Sequence, residues 1–106
     1  ILACVYAEPT DPARPASAYR DALVAAYAGE PFVDVLAPGT LPDTAFVRGS
    51  NRAHVTATYD PRSQRVLALS AIDNLVKGAA GQAVQCLNVA RGWPETLGLG
   101  AAPLFP

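Results

Sequence analysis

The segment Asp73-Asn74-Leu75-Val76-Lys77-Gly78-Ala79-Ala80-Gly81-Gln82 carries the densest potential chemistry in the chain. It reads as a helix start placed directly after a strand, where unpaired backbone N–H groups and the positive end of the helix dipole favour an anion. Lys77 in the first turn opposes that dipole by about 0.3–1 kcal/mol. This makes sense if an anionic or strongly polar ligand shares the site; the alternative is a lysine that simply snorkels to solvent. The glycines do not form a phosphate loop, because GxxxxGK[ST] is absent.

A second cluster, Arg48-Gly49-Ser50-Asn51-Arg52, sets two guanidiniums around a glycine, a hydroxyl and an amide just before a strand. Guanidinium forks match carboxylate and phosphate oxygens in bidentate fashion, so the set suits an anionic substrate. The plainer alternative is a turn with ordinary surface arginines. His54 lies on the Thr-bearing face of a strand with no acidic or thiol neighbour at suggestive spacing, and reads as structural or exposed. Cys4 falls in an apolar strand and Cys86 on an apolar helix face; both read as small core residues, since activated thiolates need an electropositive, accessible setting. With a single histidine and no CxxC, no metal site is expected. Free thiols and a reducing compartment follow as the default. No paired carboxylates stand out, and no catalytic set is complete.

Periodicity supplies the elements that hold these groups. Ile1 to Ala7 reads as a strand, ended by Pro9, Asp11, Pro12 and Pro15. Tyr19, Leu23, Val24 and Tyr27 recur at helical spacing, with Ala16 or Ser17 at the start and Gly29 as a C′ residue. Phe32 to Leu36 suggests a short strand, residues 38–44 a loop, and Ala45 to Arg48 a second short strand. Ala53, Val55, Ala57 and Tyr59 alternate with His54, Thr56 and Thr58, the period-two pattern of a half-buried strand. After the turn Asp60-Pro61-Arg62-Ser63, the run from Arg65 to Ile72 pairs back as a hairpin, so the sheet is at least partly antiparallel.

Asp73 or Asn74 then caps one long helix reaching about Ala90, stopped by Gly92 with Pro94 beyond. Leu75, Val76, Ala79, Ala80, Ala83, Val84, Cys86 and Leu87 share one half of it. The other half, Asn74, Lys77, Gly78, Gly81, Gln82, Gln85 and Asn88, is polar with a single charge and two glycines. A solvated helix face favours Glu, Lys and Arg, and each glycine costs about 0.8–1 kcal/mol. A backbone, ligand or second domain is therefore expected to approach it. The tail from Gly92, with its apolar Leu104-Phe105 end, reads as extended over the domain.

Composition narrows the classes. At 106 residues the chain is one small domain. Apolar residues make up 51% and charged residues 16%, below the usual ~25%, which excludes disorder and suggests a surface covered by a neighbour. A formal charge of −1 leaves no basic field for nucleic acid. No run is long enough to span a membrane, and the N-terminus lacks the basic n-region of a signal peptide. The chain has no Met and opens on an apolar, strand-like run, which reads as a piece of a longer polypeptide.

The runs Ile-Leu-Ala-Cys-Val-Tyr (1–6), Pro-Phe-Val-Asp-Val-Leu (31–36), Leu-Pro-Asp-Thr (41–44), Val-Arg-Gly-Ser-Asn-Arg (47–52), Ser-Ala-Ile-Asp-Asn-Leu-Val-Lys-Gly-Ala-Ala-Gly-Gln-Ala-Val-Gln (70–85) and Pro-Glu-Thr-Leu-Gly-Leu (94–99) together resemble the C-terminal third of the N-acetyl-gamma-glutamyl-phosphate reductase family. The block 70–85 is the specific one. The resemblance implies an NADP-dependent, cytoplasmic enzyme of arginine biosynthesis that reduces an acyl phosphate to a semialdehyde with a cysteine nucleophile and a histidine base. It implies an α+β fold with a mixed, largely antiparallel sheet, the C-terminal part of a domain like that of glyceraldehyde-3-phosphate dehydrogenase. The family's dinucleotide glycine motif, nucleophile motif and base motif all lie upstream of Ile1. Cys4, Cys86 and His54 fall outside them, so no catalytic residue is expected in this chain.

What the resemblance carries over is narrower. Asn74 matches an asparagine placed to hydrogen-bond the nicotinamide carboxamide, with Lys77 and Gly78 beside it as cofactor contacts. Arg48, Ser50, Asn51 and Arg52 are expected near the substrate. Residues 1–72 would belong to a substrate and dimerisation domain, and 73–106 would be a helix and tail packing back on an absent nucleotide-binding segment of the same protein. The expected partners are that segment, the acyl phosphate and further copies of the chain, without nucleic acid or membrane. Competing readings are a non-catalytic oligomerisation module and the same segment of an aspartate-semialdehyde dehydrogenase.

Overall fold

The computed structural model describes residues 1–104, so Phe105 of the apolar tail lies outside the described residues. The alternating run Ala53–Asp60 (β3) and the β-branched run Arg65–Ile72 (β4) pair in antiparallel register from Ala53 opposite Ile72 to Asp60 opposite Arg65. The turn between them is tied by Asp60, which accepts from Arg62 N and Ser63 Oγ. Leu2–Ala7 (β1) adds to the far side of β4, antiparallel, and Val33–Val35 (β2) adds to β3 in parallel. The order β1-β4-β3-β2 is the expected mixed, largely antiparallel sheet. Together with the helices Ser17–Ala26 (α1) and Gly81–Ala90 (α2) it makes an α+β domain.

Strand alternation divides the sheet into two faces. Val5, Val55, Ala57, Tyr59, Ala68 and Ser70 point one way; α1 lies over the β3 part of that face, with Tyr19 stacked on Tyr59, ring centroids 6.2 Å apart, and leaves Val5 exposed. Leu2, Cys4, Tyr6, Thr58, Leu67 and Leu69 point the other way. The loop after β2 and the buried Val47 cover only the Ala71 end of that side. Leu2 and Tyr6 are 58% and 63% exposed on it. Cys4 there neighbours Tyr6 and pushes its phenol pKa up.

Three expectations about local structure are corrected. Residues 45–48 do not form a strand: Thr44–Val47 is a 3-10 turn, because Asp43 caps it by accepting from Ala45 N at 2.9 Å. The long helix is interrupted at its start, where Val76–Ala80 is a π-turn that runs into α2. The third concerns direction. Part of the polar side faces the domain, with Gly81 and Asn88 buried and Lys77 and Gln85 half-buried, while Asn74, Gly78 and Gln82 stay exposed together with Leu75, Ala79, Ala83, Val84 and Leu87. Cys86 goes with them, and Cys4 is exposed on the open sheet face, so neither is a core residue. Periodicity groups side chains onto a face but does not say which face turns inward. The tail does lie over the domain: Leu99 is buried, and Leu104 N donates to Arg48 O at 2.8 Å.

Candidate functional site

The junction between β4 and the π-turn is organised by Asp73. Its Oδ1 accepts from Leu75 N and Val76 N, both at 2.8 Å, and its Oδ2 accepts from Gly49 N at 2.8 Å. Its own carbonyl accepts from Gly78 N at 2.8 Å, and Leu75 O accepts from Ala80 N at 3.0 Å, the wide spacing of a π-turn. The N–H groups expected to be free for an anion are thus already engaged, chiefly by the Asp73 carboxylate. The bond from Gly49, then those from Val76 and Leu75, hold that carboxyl below the usual aspartate range. Asn74 is exposed, and its amide makes no hydrogen bond among the described residues.

Lys77 turns inward instead of toward a ligand. Its Nζ donates to Gln85 Oε1 at 2.7 Å and sits 5.6 Å from the centroid of Phe32. Gln85 Oε1 also accepts from Asn51 Nδ2 at 2.9 Å, and Gln85 Nε2 donates to Glu95 Oε1 at 2.5 Å. Burial lowers the Lys77 pKa, partly opposed by the charge of Glu95. The lysine tolerated at the wrong end of a helix dipole is therefore balanced by an internal carboxylate reached through one amide. Gly81 fits the same packing. A Cβ there would collide with Asn51 Oδ1 and lie 2.8 Å from both Val76 Cγ1 and Val76 O. The neighbour anticipated for the glycine face is, at Gly81, this chain's own Asn51.

The four residues expected near substrate separate. Ser50 and Asn51 are buried, and Ser50 Oγ donates to Val47 O at 2.8 Å. Arg52 spends its fork on Asp34, donating from Nε at 2.5 Å and also from Nη2. That bond raises the Arg52 pKa and is the main cause of a lowered Asp34 pKa. His54 Nε2 stands 3.6 Å from Asp34 Oδ2. Asp34 and His54 lie twenty positions apart in sequence and are partners only through the parallel register of β2 and β3, so spacing gave no signal of them. Arg48 alone of the four is exposed. It lines a shallow hollow with Thr44, Ala45, Ile1, Ile72, Asp73 and Asn74.

The structure thus brings Arg48 and Asn74 together at one opening and turns Ser50, Asn51, Arg52 and Lys77 into internal contacts. Gln85 and Glu95 were missed as site residues; the signal was the sparse charge on the polar helix face. Among the described residues no group of three His, Cys, Asp or Glu side chains is placed to hold a metal ion. Among the described residues no helix is long and apolar enough to cross a membrane.

A profile of the semialdehyde dehydrogenase dimerisation domain matches residues 1–74. The chain belongs to this family. Its similarity to curated proteins runs further than the dimerisation-domain match. It is 54% identical over 107 residues to the N-acetyl-gamma-glutamyl-phosphate reductase of Citrifermentans bemidjiense, covering 100% of this chain and 30% of that protein. It is 54% identical over 95 residues to the reductase of the same name from Frankia casuarinae, covering 90% of the chain and 28% of the relative. With that of Geobacter metallireducens it shares 60% over 80 residues, or 76% and 23%. The chain spans about 30% of the length of such relatives.

Proposed function

We propose that this chain is the dimerisation and cofactor-wall segment of an NADP-dependent N-acetyl-gamma-glutamyl-phosphate reductase, working in the cytoplasm in arginine biosynthesis. The observation that carries this reading is that Asn74, with an unengaged amide, and Arg48, with an exposed guanidinium, line one hollow at the β4 to π-turn junction. A primary amide offers one acceptor and two donors, the complement of a carboxamide such as that of nicotinamide. A guanidinium beside it suits the phosphate of an anionic acyl phosphate. NADPH supplies the hydride when bound. Asn74 orients its carboxamide, and Arg48 holds the charged end of the substrate. Lys77 and Gly78 are not direct contacts in this reading: they shape the turn that presents Asn74. No described side chain acts as nucleophile or base, so those groups come from the upstream segment.

The uncovered side of the sheet supports the oligomeric part of the reading. Leu2, Tyr6, Leu67 and Leu69 form an apolar surface on a chain whose family profile is that of a dimerisation domain. The exposed Leu75, Val84 and Leu87 side of the final helix is a second such surface, suited to the upstream nucleotide-binding segment.

Asn74→Ala in the complete reductase tests the assignment. Loss of a buried polar partner costs about 1–3 kcal/mol, so NADPH-dependent reduction falls by one or more powers of ten while the melting temperature stays put. Unchanged NADPH kinetics in that variant end the cofactor-wall reading.

A further inference from the structure

A part-buried polar bridge ties the π-turn to the tail. Lys77 reaches eight residues along its own helix to Gln85, and one carboxamide, Gln85, sits between a cation and an anion. Its oxygen accepts from Lys77 and Asn51, and its N–H donates to Glu95. The amide dipole is aligned with the field of the Lys77–Glu95 pair, with its negative end on the ammonium. Four segments meet here: the π-turn through Lys77, α2 through Gln85, the arginine loop through Asn51, and the tail through Glu95. The same tail strand of contacts is locked by Asn88, whose Nδ2 donates to Glu95 O at 3.1 Å and Leu97 O at 2.9 Å.

The π-turn is the element that needs such support. Its i→i+5 bonds, Gly78 N to Asp73 O and Ala80 N to Leu75 O, accommodate one more residue per turn than an α-helix, and isolated π-turns are unfavourable and concentrated at functional sites. Asp73 pins its first residues from the strand side. Lys77, pulled inward to Gln85, pins its middle from the domain side, while Asn51 packs against Gly81 at its end. Asn74 sits between the two anchors. We infer that Gln85 is a positioning residue: by bridging Lys77 to Glu95 and Asn51 it holds the π-turn in the geometry that aims the Asn74 amide into the hollow shared with Arg48. This rests on the proposed cofactor role of Asn74.

The titratable groups that face this bridge are Lys77 itself, Glu95 from the tail, Cys86 from α2, and Glu30 from the turn before β2. Replacing Gln85 by glutamate therefore gives a sign-specific outcome. A carboxylate still accepts from Lys77 and Asn51, but it faces Glu95 at a distance where two carboxylates must share a proton. The bridge in Gln85→Glu is broken at pH 8 and restored as the pH falls and a proton is taken up between the two carboxyls.

The experiment uses the complete reductase and reads NADPH binding by fluorescence titration, the KM of each substrate, and amide exchange at Gly78, Ala80 and Gly81. Gln85→Leu is expected to weaken NADPH about tenfold, as for loss of part-buried hydrogen bonds to charged groups, with the acyl-phosphate KM within about twofold and faster exchange at the π-turn. Gln85→Glu is expected to show the same weakening at pH 8 and recovery toward pH 6, which keeps the test decisive if Gln85→Leu does not fold. Wild-type NADPH affinity in Gln85→Glu across that range overturns the inference. So does a parallel rise in both KM values with no pH dependence. If Asn74→Ala binds NADPH normally, the cofactor reading itself has failed; if Asn74→Ala is impaired and the Gln85 variants are not, only the positioning role has.

Discussion

Gly81 shows how a single residue is decided by what stands opposite it. In an exposed helix interior, replacing glycine by alanine gains about 0.8–1 kcal/mol. Here the new methyl would meet Asn51 and Val76, neither of which is a free side-chain end, since Asn51 is fully buried and bonded to Gln85. Gly81→Ala is expected to lower stability by about 1–3 kcal/mol, the cost of overpacking, readable as a drop in the denaturation midpoint. A gain in stability would mean the α2 to loop contact is looser than the structure shows. The two arginines flanking Gly49 are likewise told apart by their surroundings. Arg48→Ala should raise the KM for the acyl phosphate with little change in stability. Arg52→Ala should instead cost about 0.5–1 kcal/mol, because its pair with Asp34 is only part-buried and screened by solvent, and should leave substrate KM alone.

At the scale of elements, β2 is held to the sheet by a short parallel pairing reinforced by the Asp34 cluster. The Asp34 carboxyl sits below its ordinary value, first because of the Arg52 hydrogen bond and further through the charges of Arg52 and His54. A lowered folded pKa contributes stability that is present above the unfolded value of about 4 and lost as the pH falls through the folded one. Asp73 has the same sign, through the amides of Gly49, Val76 and Leu75. The β2 edge and the π-turn should therefore loosen together in acid below about pH 4. Asp34→Asn should flatten the acid limb of a thermal-melt series in that window while leaving the neutral and alkaline limbs parallel to wild type. An unchanged acid limb would remove Asp34 from the account.

Across the whole molecule, the apolar fraction of 51% exceeds what one thin layer of helix and sheet encloses. Leu2, Val5, Tyr6, Leu75, Leu87 and Trp93 all remain substantially exposed. Most of the surplus lies on two surfaces, the sheet face opposite α1 and the outer side of α2, with Val5 open on the α1 side at the β1 edge, and a chain with so few charges does not keep such surfaces bare. Leu2→Glu combined with Tyr6→Glu should leave the fold intact, since both side chains are already exposed, and weaken self-association at least tenfold by sedimentation equilibrium. An unaltered dimer would move the interface elsewhere. The 106-residue chain alone should neither reduce an acyl phosphate nor remain monomeric, because its apolar faces lack their partners; turnover by the isolated chain would contradict the division of labour proposed here.

The sequence by itself determined the hairpin of β3 and β4, the strand at Ile1–Ala7, α1 and the mixed α+β class, because period-two and period-3.6 patterns are local and side chains report them directly. Asn74 and Arg48 come forward through the family resemblance rather than through local pattern, and their roles toward cofactor and substrate are the proposal made above. Tertiary structure alone decided the rest. A helical pattern is symmetric with respect to inside and outside, so Lys77, Gln85 and Asn88 turned out to face the domain only because Asn51, Glu95 and the tail carbonyls satisfy them there. The Asp34–Arg52–His54 group exists only through strand register. The N–H groups at the helix start are engaged locally by Asp73, one of the two caps read from sequence, and only its second bond, to Gly49, is tertiary. Local periodicity fixes which residues travel together; the pairing of distant polar groups, which must find partners once water is excluded, fixes which way they turn.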